Sequence, residues 1–167
     1  MPFESKTRHP DDQPLDAGDA EIAVFGIGRI GSAAYDDMRQ RYGEKVIGID
    51  FDAEIVEKNR RAGRNVIAGD ATDIDFWEWV TTDPRGKIRI VILAMPKHRA
   101  NMIALNELTQ RQFKGKIAAT AMFDDEVEEL KQAGAHAAYN IYAQAGFGFA
   151  EHVSRAIEDA DPSILDS

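Results

Sequence analysis

The residues best placed to do chemistry are three glycines and an acid. Gly26, Gly28 and Gly31 stand in the stretch Gly26-Ile27-Gly28-Arg29-Ile30-Gly31, and Asp50 closes the apolar run Val46-Ile47-Gly48-Ile49. The acid follows the last glycine by about 20 residues, the spacing at which such a set can hold a nucleotide. Gly26 permits a tight turn, Gly28 lets a pyrophosphate approach the backbone, and Gly31 lets a helix pack close to a strand. The helix that follows begins with free N–H groups and the positive end of its dipole, both aimed at phosphate. Asp50 can accept hydrogen bonds from both ribose hydroxyls. A lone GxGxxG is a weak signal; strand, glycine turn, helix, strand and acid in that order are a specific one. The plainer alternative is a glycine turn kept for packing alone.

Neighbouring residues extend this candidate site. Arg29 and Ile30 occupy the loop, and Phe51 and Asp52 follow the acid. A 2′-phosphate near Asp50 and Asp52 would meet like charge, so NADH or AMP is expected to bind more tightly than NADPH. Arg60, Arg61 and Arg64 could accommodate that phosphate, but they fall toward the far end of the next helix and are expected to be solvated. Gly69-Asp70-Ala71-Thr72 follows the third apolar run at the same edge, where an acid and backbone groups can meet the adenine and Gly69 allows close approach. Thr72 with Asp75 also fits a capping-box-like helix start, and the two readings are compatible. Met95, at the end of the longest apolar run, completes the set.

Other chemistry is poorly supported. His9, His98, His136 and His152 are scattered without metal-ligand spacing. His98, between Lys97 and Arg99, reads as solvated or as a weak attraction for phosphate rather than as a general base. The serines (Ser5, Ser32, Ser154, Ser163, Ser167) suggest no Ser/His/Asp set, and the absence of cysteine excludes disulfides, thiolate catalysis and Cys-ligated zinc. A net charge of −9 argues against nucleic acid as a partner and is read simply as solubility.

The elements that must position these residues follow from the pattern. A chain of 167 residues with 44% hydrophobic and 29% charged residues is expected to form one domain with a proper core. Residues 1–19 are polar and rich in Pro and Asp, and read as a tail or linker rather than a secretory signal. No apolar run reaches the roughly 18 residues needed to cross a bilayer. Ile22-Ala23-Val24-Phe25 and the run ending at Asp50 are the first two strands. Asp52 or Ala53 should open a helix through Arg61, ended by Gly63, and Asn65-Val66-Ile67-Ala68 is the third strand. A helix over about 73–80 is broken by Pro84 and Gly86. Ile88 to Met95 reads as a central strand buried on both faces, with Pro96 in the first turn of a helix to about Gln112. A fifth strand over Lys116 to Met122, a helix over Asp124 to Gln132 and a sixth strand over His136 to Tyr139 follow. A last helix runs from Asn140 to Ile157, and the end after Asp159 frays. Trp77 and Trp79 diverge on their helix, so one is expected at a contact or half-buried. The alternation predicts an α/β, Rossmann-like doubly wound parallel sheet of six strands, order 3-2-1-4-5-6.

GIGRIG, VIGIDFDAE and NVIAGDAT, at these spacings, resemble the nucleotide-binding lobe of RCK domains, also called TrkA-N domains. These are cytoplasmic regulators of Trk, Ktr and Kef-type potassium channels and transporters. The resemblance covers about residues 20–158, and Arg29 in the glycine loop looks most like the Kef-type efflux proteins, whose lobe follows a membrane antiporter domain. It implies that Gly26, Gly28, Arg29 and Gly31 hold phosphates, that Asp50 holds the adenosine ribose, and that Asp70, Ala71 and Thr72 line the adenine side. The implied ligands are NAD(H) or AMP/ATP. The implied partners are a second copy, met through the last helix, and a membrane potassium transporter or antiporter domain, in cis or in trans. The apolar residues of that helix, Ile141, Ala145, Phe147, Phe149, Ala150, Val153 and Ile157, fit a dimer; the alternative is that they cover one sheet face.

This sequence departs from the family in having neither a membrane domain nor a second lobe after the last helix. It is therefore expected to be an excised regulatory domain or a stand-alone cytoplasmic subunit, membrane-associated only through a partner or the absent domain. The expected function is nucleotide-sensing control of potassium efflux through a ligand-biased dimer, without catalysis. The rivals are a small NAD-dependent oxidoreductase, which would need a second domain over the nicotinamide, and a scaffold whose bound nucleotide never changes.

Overall fold

The computed structural model describes residues 19–81 and 87–164. The expectations for the tail up to residue 18, for the breakers Pro84 and Gly86, for the Trp79 side chain and for residues 165–167 lie outside the described residues. Six strands and six helices alternate: β1 (Ile22–Phe25), α1 (Arg29–Tyr42), β2 (Val46–Asp50), α2 (Ala53–Arg61), β3 (Val66–Ala68), α3 (Ile74–Thr81), β4 (Ile90–Leu93), α4 (His98–Gln110), β5 (Lys116–Ala121), α5 (Asp124–Gln132), β6 (Ala137–Asn140) and α6 (Ile141–Ala160). Every strand pair is parallel, and the order is β3-β2-β1-β4-β5-β6, as the alternation predicts. The chain works outward from β1 to β3 and then crosses back to β4. The carboxyl ends of β1 and β4 therefore flank the switch point where a crevice opens.

Alternate residues of β1, β2, β3 and β4 feed two cores, because successive side chains of a strand point to opposite faces. Ala23, Phe25, Ile47, Ile49, Val91 and Leu93 meet α3, α4 and α5 through Trp77, Leu105, Leu108 and Leu130. Ile22, Val24, Val46 and Ile92 meet α1 and α2 through Tyr35 and Val56. Burial on both sides explains why β1 and β2 read as unbroken apolar runs. Trp77 is wholly buried, so of the two tryptophans it is not the one at a contact. Its ring stacks on Phe25 at 5.1 Å, and its indole N–H donates to the Ala71 carbonyl at 2.6 Å, which satisfies the polar end.

Several boundaries differ from expectation for local reasons. β4 stops at Leu93 rather than Met95, because β1 ends at Phe25 opposite it. The Met95 N–H turns instead to the Asn101 side-chain oxygen at 3.1 Å. Pro96 lies ahead of its helix, whose N-cap is Lys97. The Thr72–Asp75 capping box does not form: Asp73 Oδ1 accepts from the Asp75 N–H at 2.9 Å, and the Thr72 hydroxyl donates to Asp70 at 2.7 Å. The last helix runs on to Ala160, and Ser163 then closes a turn on the Asp161 carboxylate.

That helix, α6, does not cover a sheet face. Asn140 caps it, accepting from the Tyr142 and Ala143 N–H groups, and none of its residues is buried. Phe147 is 77% exposed and Phe149 71%.

Candidate functional site

Three glycines shape the turn between β1 and α1, each for its own reason. Gly26 has φ +89°, which glycine tolerates best, and a side chain there would run into the Ala94–Met95 backbone at 2.8 Å. A side-chain carbon on Gly31 would fall on the Gly26 carbonyl, so this glycine sets how closely α1 meets the turn. Gly28 is different. No atom lies within 4 Å of where its side chain would stand, so the space over it is open to a ligand. Ile27, unlike the exposed Ile30, is buried in the room that the missing side chain of Gly48 leaves on β2.

Asp50 is 8% exposed and stands directly beneath this loop. Its Oδ2 accepts from the Ile27 N–H and its Oδ1 from the Asp52 N–H, both at 2.9 Å. A carboxylate has about four acceptor positions, so both oxygens keep capacity for ribose hydroxyls. Asp52 caps α2 through the Glu54 N–H, while Phe51 is exposed beside the crevice. Of the arginines expected to be solvated, Arg61 is, with a surface pair to Glu57 on its own helix. Arg60 instead donates to the Val66 carbonyl, and Arg64 grips both Asp36 oxygens at 2.8 and 2.7 Å. The Arg64 bond holds the Asp36 carboxyl below its usual pKa and raises that of Arg64 in turn.

The Gly69–Thr72 turn adjoins this end of β2 through the Gly69 N–H, which donates to the Asp50 carbonyl at 2.9 Å. Asp70 receives the Thr72 N–H and hydroxyl, and Ala71 is buried. Gly69 is small for an internal reason: the Phe76 ring and Ile49 fill the space a side chain would need. It does not present an open face as Gly28 does.

On the other side of the glycine loop lies a cavity of about 190 Å³. Gly28, Arg29 and Ile30 form its near wall, Met95 and Pro96 its floor, and Thr120, Ala121 and Met122 at the end of β5 its far wall. His98, Asn101, Glu126 and Ile141 close it. Met95 was expected in the site. Thr120 and Met122 were missed, although the carboxyl-edge rule that located Gly28 points to them equally. Asn101, 1% exposed, had no sequence signal; it joins Met95 to the Thr120 carbonyl. His98 is not solvated: its side chain is 20% exposed, with Nε2 3.0 Å from Glu129.

Helix ends set the electrostatics of the crevice. α2, α3 and α6 have side-chain oxygens on their first N–H groups, from Asp52, Asp73 and Asn140, and α5 carries three acids in its first turn. α1 and α4, which reach the cavity, have no side-chain cap and no acid in the first turn. Their free N–H groups and dipoles favour an anion between them.

The family model described as the TrkA-N domain matches residues 22–141. The glutathione-regulated potassium-efflux system protein KefC of Cronobacter sakazakii is 31% identical over 121 residues, which are 72% of this chain and 19% of that protein. The chain thus spans about a fifth of the length of the curated relative it matches. Among solved structures, the GsuK channel bound to NAD superposes with a TM-score of 0.63 at 18% identity, over 82% of this chain and 24% of that one. The Shewanella denitrificans Kef CTD in its AMP-bound form superposes with a TM-score of 0.57 at 14% identity, over 83% and 96%. At those identities the structures speak for the fold alone.

Proposed function

This chain belongs to the TrkA-N family, and on that premise we propose that it is a nucleotide-sensing regulatory domain of a potassium-efflux system. The nucleotide, NAD(H) or an adenine mononucleotide such as AMP or ATP, occupies the crevice over Gly28. The observation that carries this reading is the open face of Gly28 between an uncapped helix end and the Asp50 carboxylate. Gly26, Gly28, Arg29, Ile30 and Gly31 meet the phosphates. Asp50 takes the ribose, with Phe51 and Asp52 beside it, and Gly69 to Thr72 border the adenine. The cavity beyond the loop, with Met95 in its floor, favours NAD(H), because a mononucleotide on the Asp50 side would leave it unfilled.

Regulation rather than hydride transfer is favoured by what lines that cavity. Glu126 is engaged with the N–H groups of Met122 and Phe123, so it does not stand ready as an acid or base. Two copies meet through the bare apolar face of α6. Ligand binding biases that dimer and acts on a membrane transporter or antiporter domain at the cytoplasmic face, with a coupling of about 1–3 kcal/mol. Calorimetric titration with NADH, AMP and NADPH tests the reading. We expect saturable binding of the first two and weaker binding of NADPH; a protein that binds none of them is not a nucleotide sensor.

A further inference from the structure

Among the described residues three polar side chains are buried, and Asn59 on α2 is the one whose place nothing in the nucleotide reading explains. It is 4% exposed. Its Nδ2 donates to the Ile27 carbonyl in the glycine loop at 3.2 Å and to the Ile55 carbonyl of its own helix at 2.8 Å. Its Oδ1 accepts from Arg64 Nη1 at 2.9 Å. The amide can face only one way. A guanidinium only donates and a peptide carbonyl only accepts, so Oδ1 must meet Arg64 and Nδ2 must meet the loop. Arg64 is itself fixed by its two bonds to Asp36 on α1.

The consequence falls on the next peptide unit. Ile27 is held at its N–H by Asp50, at its side chain in the space over Gly48, and at its carbonyl by Asn59. The Ile27–Gly28 peptide is trans, so the Gly28 N–H points opposite to the Ile27 carbonyl and away from Asn59. We propose that Asn59, oriented by the Arg64–Asp36 pair, is a positioning residue that turns the Gly28 N–H outward as a donor to the ligand's phosphate. This rests on the nucleotide reading and adds to it a residue that touches no ligand. A peptide donor held in place before binding needs no reordering when the anion arrives, which strengthens its bond.

The test separates phosphate from nucleoside. Adenosine and AMP are titrated into the wild-type chain, Asn59→Leu and Arg64→Gln, with circular dichroism and thermal unfolding on each. In the wild type AMP should bind more tightly than adenosine. Asn59→Leu should shrink that ratio by roughly tenfold, with adenosine affinity unchanged. Arg64→Gln, at a partly exposed position, should shrink it less, because the amide is freed to turn while its donor remains. If Asn59→Leu does not fold, the Arg64→Gln ratio decides. An unchanged AMP-to-adenosine ratio in the folded variants overturns the positioning role and leaves the nucleotide site standing. Equal losses for adenosine and AMP also overturn it, since they mark a general loosening of the crevice. A wild type that binds neither ligand overturns the inference, and if NADH also fails to bind, the site itself.

Discussion

The glycine loop and the last helix are both rich in glycine and apolar residues, yet the fold treats them in opposite ways. Ile27 in the loop is held at its N–H, its carbonyl and its side chain by residues distant in sequence, so the open face of Gly28 is a fixed shape. α6 is anchored at its start by Asn140, which caps it and bonds to Asp124 at 3.0 Å. Beyond that start, Phe147 and Phe149 stand in solvent, with Gly148 between them and Gly146 just before. The loop's partners are all within the chain, whereas among the described residues nothing buries a residue of α6. The site over Gly28 is built by one copy; on the proposed reading, the surface that reports on it meets a second.

The strongest way to break this contrast is at the loop. Gly28→Val should abolish nucleotide binding, a loss of about 100-fold or more, while leaving the unfolding temperature close to wild type, because the added methyls enter empty space. Gly31→Ala should do the reverse, destabilising the fold by about 3 kcal/mol through collision with the Gly26 carbonyl. Calorimetry and thermal unfolding on the pair separate the two effects. Undiminished affinity in Gly28→Val would remove the loop from the site.

At the helix, the paired change Phe147→Ser and Phe149→Ser should convert a dimer to monomers in sedimentation while leaving nucleotide affinity within about twofold. A wild-type monomer at micromolar concentration would show that the bare face serves something other than a second copy.

Asp50 offers a smaller effect. The ratio of NADH to NADPH affinity should narrow by roughly tenfold in Asp50→Ala, because the like charge facing a 2′-phosphate is gone. NADPH binding the wild type more tightly than NADH would sink the ribose assignment. That outcome would also be hard to reconcile with Arg60 and Arg64 already holding other partners.

The smallest effect concerns the pair behind Asn59. Asp36 has a lowered pKa in the folded chain, so its contribution is present above the unfolded value near 4 and is lost as pH falls through the folded one. Because the carboxylate is 43% exposed, water screens the pair and its worth is under about 1 kcal/mol. Asp36→Asn should be less stable than wild type at pH 6, and the gap should narrow as pH falls below the unfolded value and through the folded one. A gap that does not narrow with acid would assign the effect to packing.

The sequence by itself determined the strand order, the parallel sheet, the glycine turn and the acid beneath it. Each depends on local spacing or on burial of a whole strand, and both leave a pattern in consecutive residues. Even the span Asp124–Gln132 of α5 is legible, from its acidic first turn and the glycine beyond its end. Tertiary structure decided the rest. Gly28 and Gly69 look alike as letters, but one faces open space and the other the Phe76 ring. Arg64 reads as a solvated cation until α1 brings Asp36 to it, and Asn59 reads as an ordinary helix residue until the loop, 32 positions away, lays a carbonyl on its amide. Such pairs form only when separate helices pack on a common sheet, and the geometry of that packing leaves no periodicity in the chain for a reader to find.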